Sequence, residues 1–292
     1  MFIATLIAAD TLDGEIIETA GGRLRDRGCG PESPAWIDEG KAADISFRSA
    51  PEEARAALED AFPGIDVVVQ PARGREKKLL VADMDSTMIT VECIDELADY
   101  AGIKVQIAAV TEAAMRGELD FGAALDARVA LLKGLEEAVI DRCLAERVTI
   151  MAGAKALVRT MRARGATTIL VSGGFTRFAE PVAREIGFDR AIANVLELAD
   201  GALAGTVTKP IVDSTTKERT LVEARVALGL AEHETLAVGD GANDLAMIRL
   251  AGLGVAYHAK PVVAAAAAAR IDHNDLTALL YAQGIPRAEW AE

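Results

Sequence analysis

Two carboxylates one residue apart close a short apolar run, Leu79-Leu80-Val81-Ala82, which leads straight into Asp83-Met84-Asp85-Ser86-Thr87. Alternation along a strand lets Asp83 and Asp85 point the same way, one pleat apart. Like charges held together at a strand end call for a cation or a shared proton. The same residues could equally make a turn and a helix cap. Further on, Thr167 to Val171 reads as a second strand running into Ser172-Gly173-Gly174 and then a helix. A hydroxyl with free N–H groups at a helix start suits an oxyanion or phosphate, although the triplet also simply makes a turn. Thr235 to Val238 is a third strand and ends in Gly239-Asp240-Gly241-Ala242-Asn243-Asp244. Carboxylates and an amide around two glycines offer oxygen ligands to a hard cation, or else cap a helix from Asn243. Lys217 opens another helix after Asp213-Ser214-Thr215-Thr216, a place where a lysine is normally solvated. Taken together the clusters carry more weight than singly. Open parallel sheets bind ligands at the carboxyl ends of their strands, and three such ends here carry acid, hydroxyl or amide groups.

The chain that must position these groups has 292 residues, about half of them apolar, which allows one domain of ordinary size and one small one. A formal net charge of −14 argues against non-specific nucleic-acid binding and against an anionic membrane surface. An anionic substrate therefore needs local help, from a metal ion or a few placed cations. The three cysteines, Cys29, Cys93 and Cys143, are scattered without metal-type spacing and read as buried thiols in a reducing compartment. No apolar stretch is long enough to span a bilayer, and a cytoplasmic protein is expected.

Residues 1–71 read as βαββαβ: strands at Phe2 to Ala9, Ala35 to Asp38, Asp44 to Arg48 and Ile65 to Val69, with helices before Arg27 and from Pro51. That order is a small α+β ferredoxin-like domain. Pro71 to Lys78 reads as a linker, and residues 72–292 change to alternating strands and helices, an α/β Rossmann-like parallel sheet. Its fourth strand is Gly254 to Tyr257. Helical periodicity at Cys93 to Tyr100, Val105 to Met115, Phe121 to Leu132 and Glu136 to Glu146 places a helical cap insertion at about 88–149. Met151 to Arg164 is the crossover helix. Ala191 to Val207 reads as a hairpin around Asp200-Gly201, and Val262 to Ala269 as an alanine-rich packing helix.

These motifs resemble those of the haloacid dehalogenase-like hydrolases in order and spacing: Asp83-Met84-Asp85-Ser86-Thr87, Ser172-Gly173-Gly174, Lys217 and Gly239-Asp240-Gly241-Ala242-Asn243-Asp244. The following Glu92 and the position of the cap resemble the phosphoserine phosphatase branch. The resemblance implies Mg²⁺-dependent hydrolysis of O-phospho-L-serine through an aspartyl-phosphate. It makes Asp83 the nucleophile and Asp85 the general acid and base. It also implies Mg²⁺ held by Asp83, the Asp85 backbone carbonyl and Asp240, with Asp244 behind. Ser172, the Gly173 N–H and Lys217 would hold phosphate oxygens, with Gly174 and Asn243 at the same end. Glu92 would take the ammonium, Arg128 the carboxylate, and Phe121 would close over them. Phe121, Leu125 and Arg128 do share one helix face. Against these readings, Glu92 could belong to a solvated acidic face with Asp95, Glu96 and Asp99, and Arg128 could snorkel. Residues 1–71 resemble ACT domains. That likeness implies either an amino-acid site at Asp10-Thr11-Leu12-Asp13-Gly14 or a role in packing and homodimerisation. A phosphatase or phosphotransferase for another small phosphoester is the nearest rival. A glycosyltransferase built on Asp83-Met84-Asp85 leaves the other motifs unexplained, and intact catalytic residues argue against a pure amino-acid sensor.

Overall fold

In the computed structural model, which describes residues 1–291 except the side chain of Met115, the N-terminal elements are β1 (Phe2–Ala8), α1 (Gly14–Asp26), β2 (Ala35–Asp38), β3 (Ala42–Phe47), α2 (Pro51–Leu58) and β4 (Ile65–Pro71). Local chemistry explains both helix starts. Asp13 caps α1 by accepting from the Ile16 N–H at 2.8 Å, and α2 begins at Pro51 with Glu52 and Glu53 in its first turn. The strands pair antiparallel in the order β2-β3-β1-β4, the ferredoxin-like arrangement. Period-two alternation divides the side chains: Leu6, Ile45 and Val67 pack on the two helices, whereas Ile7, Ala42 and Val68 join the core of the rest of the chain.

The larger part runs β5 (Leu79–Ala82), α3 (Cys93–Tyr100), α4 (Lys104–Met115), α5 (Phe121–Leu131), α6 (Glu137–Arg147), α7 (Ala154–Ala163), β6 (Thr167–Phe175), α8 (Thr176–Ile186) and β7 (Arg190–Asn194). It continues through β8 (Leu196–Ala199), β9 (Ala202–Val207), α9 (Ser214–Ala227), β10 (Thr235–Gly239), α10 (Leu245–Leu250), β11 (Leu253–Tyr257), α11 (Pro261–Ala264), β12 (Ala269–Ile271) and α12 (Ala278–Ala282). Six parallel strands form one sheet in the order β12-β11-β10-β5-β6-β7. All four residues of β5 are fully buried, as a strand covered on both faces must be. From β5 the chain winds to one side through β6 and β7 and then returns to β10 on the other. The carboxyl ends of β10, β5 and β6 therefore meet at a topological switch point.

The cap is α3 to α6, and the chain enters and leaves it side by side. Thr90 N–H donates to the Thr149 carbonyl at 3.0 Å, and Met151 N–H to the Met88 carbonyl at 2.9 Å. The hairpin β8–β9, centred on Asp200-Gly201 as its dipeptide signal implies, leans on the cap through Gly134 N–H to the Leu203 carbonyl (2.8 Å) and Leu203 N–H to the Leu135 carbonyl (2.9 Å).

Three readings change. Arg190–Asn194 is a sheet strand rather than a lead-in to the hairpin; being an edge strand it is half-exposed and lacks the continuous apolar run of its neighbours. The alanine-rich stretch is helical only over Pro261–Ala264, and Ala269 instead pairs with Val255 to open β12. Alanine favours helix, but pairing at a buried sheet edge overrides a weak propensity. The Arg73 to Lys78 segment is not a loose tether. Arg75 pairs with Asp44 and donates to Thr5 Oγ1 (3.0 Å) and to the carbonyls of Tyr281 (3.1 Å) and Ala282 (2.9 Å).

The N-terminal sheet is bolted to the larger part at Asp66. Its buried carboxylate accepts from the N–H groups of Asp272 (2.8 Å), His273 (3.2 Å) and Asn274 (3.0 Å) and from Asn274 Nδ2 (2.8 Å). Replacing Asp66 with alanine leaves those donors without an acceptor. We expect about 3 kcal/mol of lost stability in urea unfolding. A change within about 0.5 kcal/mol, the range of an ordinary surface substitution, would mean that the contact does not hold the two parts together.

Candidate active site

β5 ends at Ala82, so Asp83 and Asp85 are brought together by a turn and not by strand alternation. Asp83 N–H still donates to the Val238 carbonyl on β10 (3.0 Å). The chain then folds back so that the Met84 carbonyl accepts from the N–H groups of Thr87 (3.2 Å), Met88 (2.8 Å) and Ile89 (3.0 Å). Ser86 occupies the left-handed region at φ 55°, an uncommon conformation for a residue with a Cβ. Its hydroxyl donates to Glu92 Oε1 at 2.8 Å, aiming that carboxylate from the first residue before α3.

Lys217 lies at the centre of the buried layer. It projects from the first turns of α9, which Asp213 caps by accepting from the Thr216 N–H (2.8 Å). Its Nζ lies 2.6 Å from both Asp83 Oδ1 and Asp244 Oδ1, and neither the lysine nor Asp244 is exposed at all. Burial works against the ammonium charge, but Asp83 and Asp244 more than offset it and raise the lysine above its ordinary pKa. Asp83, Asp240 and Asp244 can each turn an oxygen to within 4.8 Å of the others, the donor set of a hard cation. Thr87 Oγ1 donates to Asp240 Oδ1 at 3.3 Å. Burial, with Asp83 and Glu92 adding negative charge, pushes Asp240 up to about 6. The Asp85 side chain turns away from that trio: Oδ1 accepts from the Cys93 N–H (3.0 Å) and Oδ2 from Ser172 Oγ (3.4 Å). Burial first, then Glu92 and Asp83, raise it to about 7, the range of a group that exchanges protons near neutrality.

β6 runs on through Phe175, with a register shift after Val171 that turns Ser172-Gly173-Gly174 out of the ladder. Gly174 N–H donates to Ser172 Oγ at 2.8 Å. A Cβ on Gly174 would come within 2.8 Å of Asp85 Oδ2, so a side chain has no room there.

A cavity of about 610 Å³ lies between these groups and the cap. Asp83, Asp85, Glu92, Phe121, Arg128, Gly173, Gly174, Asp240 and Asn243 all line it, while Ser172, Lys217 and Asp244 sit behind its wall. Phe121 marks the close approach of cap and core: its Cζ would be 3.1 Å from a Cβ on Gly173. Arg128 donates to the Ala124 carbonyl (3.3 Å) and, among the described residues, forms no salt bridge. Burial lowers its pKa, with Asp95 and Glu92 working the other way. Burial raises Glu92, countered by the Ser86 hydroxyl and, more weakly, by Lys260 on the same cavity wall. Lys260 went unread in the sequence, as did Thr111, while Asp95 and Ser214 on the same walls were read there only as part of an acidic face and of a polar run. It stands just beyond β11, so the strand-end rule that found the other groups could have found it too.

Carboxyls raised in the folded state keep protons that the unfolded chain, with pKa values of about 4, has already released. From about pH 4 to pH 7 the native state thus binds more protons, and stability from Asp85 and Asp240 declines as pH rises through that window. A divalent cation at Asp83, Asp240 and Asp244 should replace the proton on Asp240. Its addition should raise Tm more at pH 7.5 than at pH 5 in thermal melts, and equal gains would argue against a cation at these carboxylates.

The profile of haloacid dehalogenase-like hydrolases matches residues 80–249, spanning all the clusters described above. The phosphoserine phosphatase of Streptomyces coelicolor is 46% identical over 235 residues, 80% of this chain and 57% of that protein. This chain thus spans a little over half the length of that relative. The crystal structure of a HAD family hydrolase from Salmonella enterica serovar Typhi covers 96% of this chain and 98% of its own at a TM-score of 0.84 and 30% identity. A structure of phosphoserine phosphatase as a phospho-aspartyl intermediate analogue aligns with 70% of this chain and 98% of its own, at 36% identity and a TM-score of 0.65. Motif, sheet order and overall match agree, and the chain belongs to the haloacid dehalogenase-like hydrolase family.

Proposed function

We propose that this chain is a phosphoserine phosphatase, hydrolysing O-phospho-L-serine to L-serine and phosphate. The observation that carries the reading is one cavity lined by two sets of groups: Asp83, Asp85 and the Gly173-Gly174 turn, and an anion and a cation, Glu92 and Arg128. A phosphate monoester suits the first set, and an amino acid's ammonium and carboxylate suit the second.

In the first step an Asp83 oxygen attacks phosphorus, the ester P–O bond breaks, and Asp85 gives its proton to the departing serine oxygen. In the second step Asp85, now a carboxylate, takes a proton from water as that water attacks the aspartyl-phosphate. Phosphate leaves, and Asp83 is restored. A pKa of about 7 suits Asp85 to both directions of transfer. Lys217 holds Asp83 in place and keeps a positive charge beside the phosphoryl oxygens, where transition-state charge accumulates. Asp83, the Asp85 carbonyl and Asp240 would hold Mg²⁺, with Asp244 and Asn243 behind them. The ion supplies Lewis-acid neutralisation of the phosphate charge. The three clustered carboxylates fit such an ion. Arg128, without a salt-bridge partner among the described residues, would take the substrate carboxylate in a bidentate pair, Glu92 the ammonium, and Phe121 would cover both.

The same reading takes residues 1–71 as an ACT-like domain and residues 72–292 as the phosphatase domain of a cytoplasmic homodimer. The half-exposed edge strand β2, with Trp36 on it, offers an unpaired edge for a second copy. Light scattering at micromolar concentration tests the dimer.

Phosphate release from O-phospho-L-serine with Mg²⁺, set against a panel of other small phosphoesters, tests the activity. Asp83→Asn should abolish turnover while leaving the circular dichroism spectrum unchanged. Arg128→Ala should raise KM for phosphoserine roughly 100-fold, the worth of about 3 kcal/mol of charge-assisted pairing, and leave KM for an ester without a carboxylate nearly unchanged. Equal shifts for the two esters would remove Arg128 as the carboxylate reader.

A further inference from the structure

Asn194 belongs to none of the motifs, yet it is almost fully buried at the end of β7 and uses its whole amide. Its Nδ2 donates to the Gly173 carbonyl at 2.8 Å and to the Val212 carbonyl at 3.4 Å, and its Oδ1 accepts from the Val212 N–H at 2.7 Å. The first bond fixes one edge of the Gly173–Gly174 peptide plane. The opposite edge of that plane is fixed by Gly174 N–H on Ser172 Oγ (2.8 Å). The other two bonds grip Val212, the residue before Asp213, which caps the helix carrying Lys217.

We propose that Asn194 is a positioning residue for phosphoryl transfer, a staple that sets the Gly173-Gly174 turn and the start of α9 at a fixed distance from one another. This rests on the phosphatase reading. The physical need is plain. Gly173 and Gly174 have no side chains to pack, and the turn lies outside the β6 ladder, so within the turn only the Ser172 Oγ contact acts to select one peptide orientation. With the Gly173 carbonyl held by Asn194 and the Gly174 N–H by Ser172 Oγ, this peptide is fixed at both edges, which in turn restricts the neighbouring Ser172–Gly173 peptide that carries the Gly173 N–H. A flipped peptide would present a carbonyl to an anion. Through Val212 the same amide keeps Lys217 in register with the turn. The two groups that bear on the phosphoryl oxygens are thereby held by one side chain that touches neither substrate nor Asp83. An asparagine is required because both a donor and an acceptor are used from one planar group.

Asn194→Asp is isosteric and keeps the acceptor for Val212 N–H while turning the donor toward Gly173 into a repelling oxygen. It should lower kcat roughly 100-fold, the scale of an ångström-sized misplacement. It should also raise the inhibition constant of orthovanadate in parallel, with KM for phosphoserine changing less than threefold. The fall should be the same for phosphoserine and for an ester lacking the carboxylate, because the defect lies at the phosphoryl end. Asn194→Ser, shorter and uncharged, should show the same pattern and serves where the aspartate variant does not fold. The wild-type protein supplies a further test: with orthovanadate and Mg²⁺ bound, the Asn194 side-chain amide hydrogens should exchange at least tenfold more slowly than in the free enzyme. Unchanged kcat in a folded variant, a loss confined to KM for phosphoserine, or unchanged exchange on vanadate binding would each overturn the proposal. Wild-type protein that releases no phosphate from any ester would instead overturn the phosphatase reading on which it rests.

Discussion

A lysine without access to water has to be neutralised by groups equally buried, and the architecture of this site follows from that requirement. Lys217 stands between Asp83 and Asp244, 2.6 Å from each. Those two acids come from the ends of adjacent strands, β5 and β10, and the lysine from a helix that lies across them. None of the three would be tolerable alone in that environment: leaving one member of such a pair uncompensated costs on the order of 3–5 kcal/mol. Yet the balance is not complete. Asp240 and Asp85 lie nearby, and burial first, with the neighbouring carboxylates adding to it, raises both. The site is poised to take up positive charge, and its excess of carboxylates is what gives a cation a place in an otherwise acidic protein.

In the proposed reading, chemistry and selection are separated in space. The sheet ends supply the reacting and neutralising groups and are buried or nearly so. The cap supplies Phe121 and Arg128, which line the same cavity. One contact between the halves is the Phe121 ring against Gly173, where even a Cβ would lie 3.1 Å from the ring's Cζ. Small movements of α5 therefore bear directly on the phosphate end of the cavity.

The strands β5, β6, β10 and β11 were legible because each is a short unbroken apolar run ending in a polar cluster, and the cap helices because glycines punctuate strong helical periodicity. The edge strands β7 and β12 were not. Arg190–Asn194 is half-exposed, and Ala269–Ile271 begins in an alanine run whose local preference is helical, so in both cases the signal resides in the partner strand. The clustering of Asp83 and Asp240 could be anticipated from strand ends alone, whereas Lys217, on a helix, joined them only through the family resemblance. The pairing of Lys217 with Asp244 inside the protein, and the three bonds of Asn194, depend on which loops the fold brings together. A lone asparagine after Ala-Ile-Ala carries no pattern. The turn at Asp83 to Asp85 shows the limit from the other side: the two acids do share a wall of the cavity, but by way of the Met84 carbonyl and a left-handed Ser86 instead of a pleat.

The paired passage into and out of the cap, Thr90 with Thr149 and Met88 with Met151, has a consequence for descent with modification. Because the inserted helices depart from the sheet and rejoin it at one spot, their length and composition can drift without altering the register of any catalytic strand. Such a junction behaves as a graft on fixed stock. The reacting atoms stay put while the head above them is exchanged, so new substrates become reachable by changes that leave the bond-breaking machinery untouched.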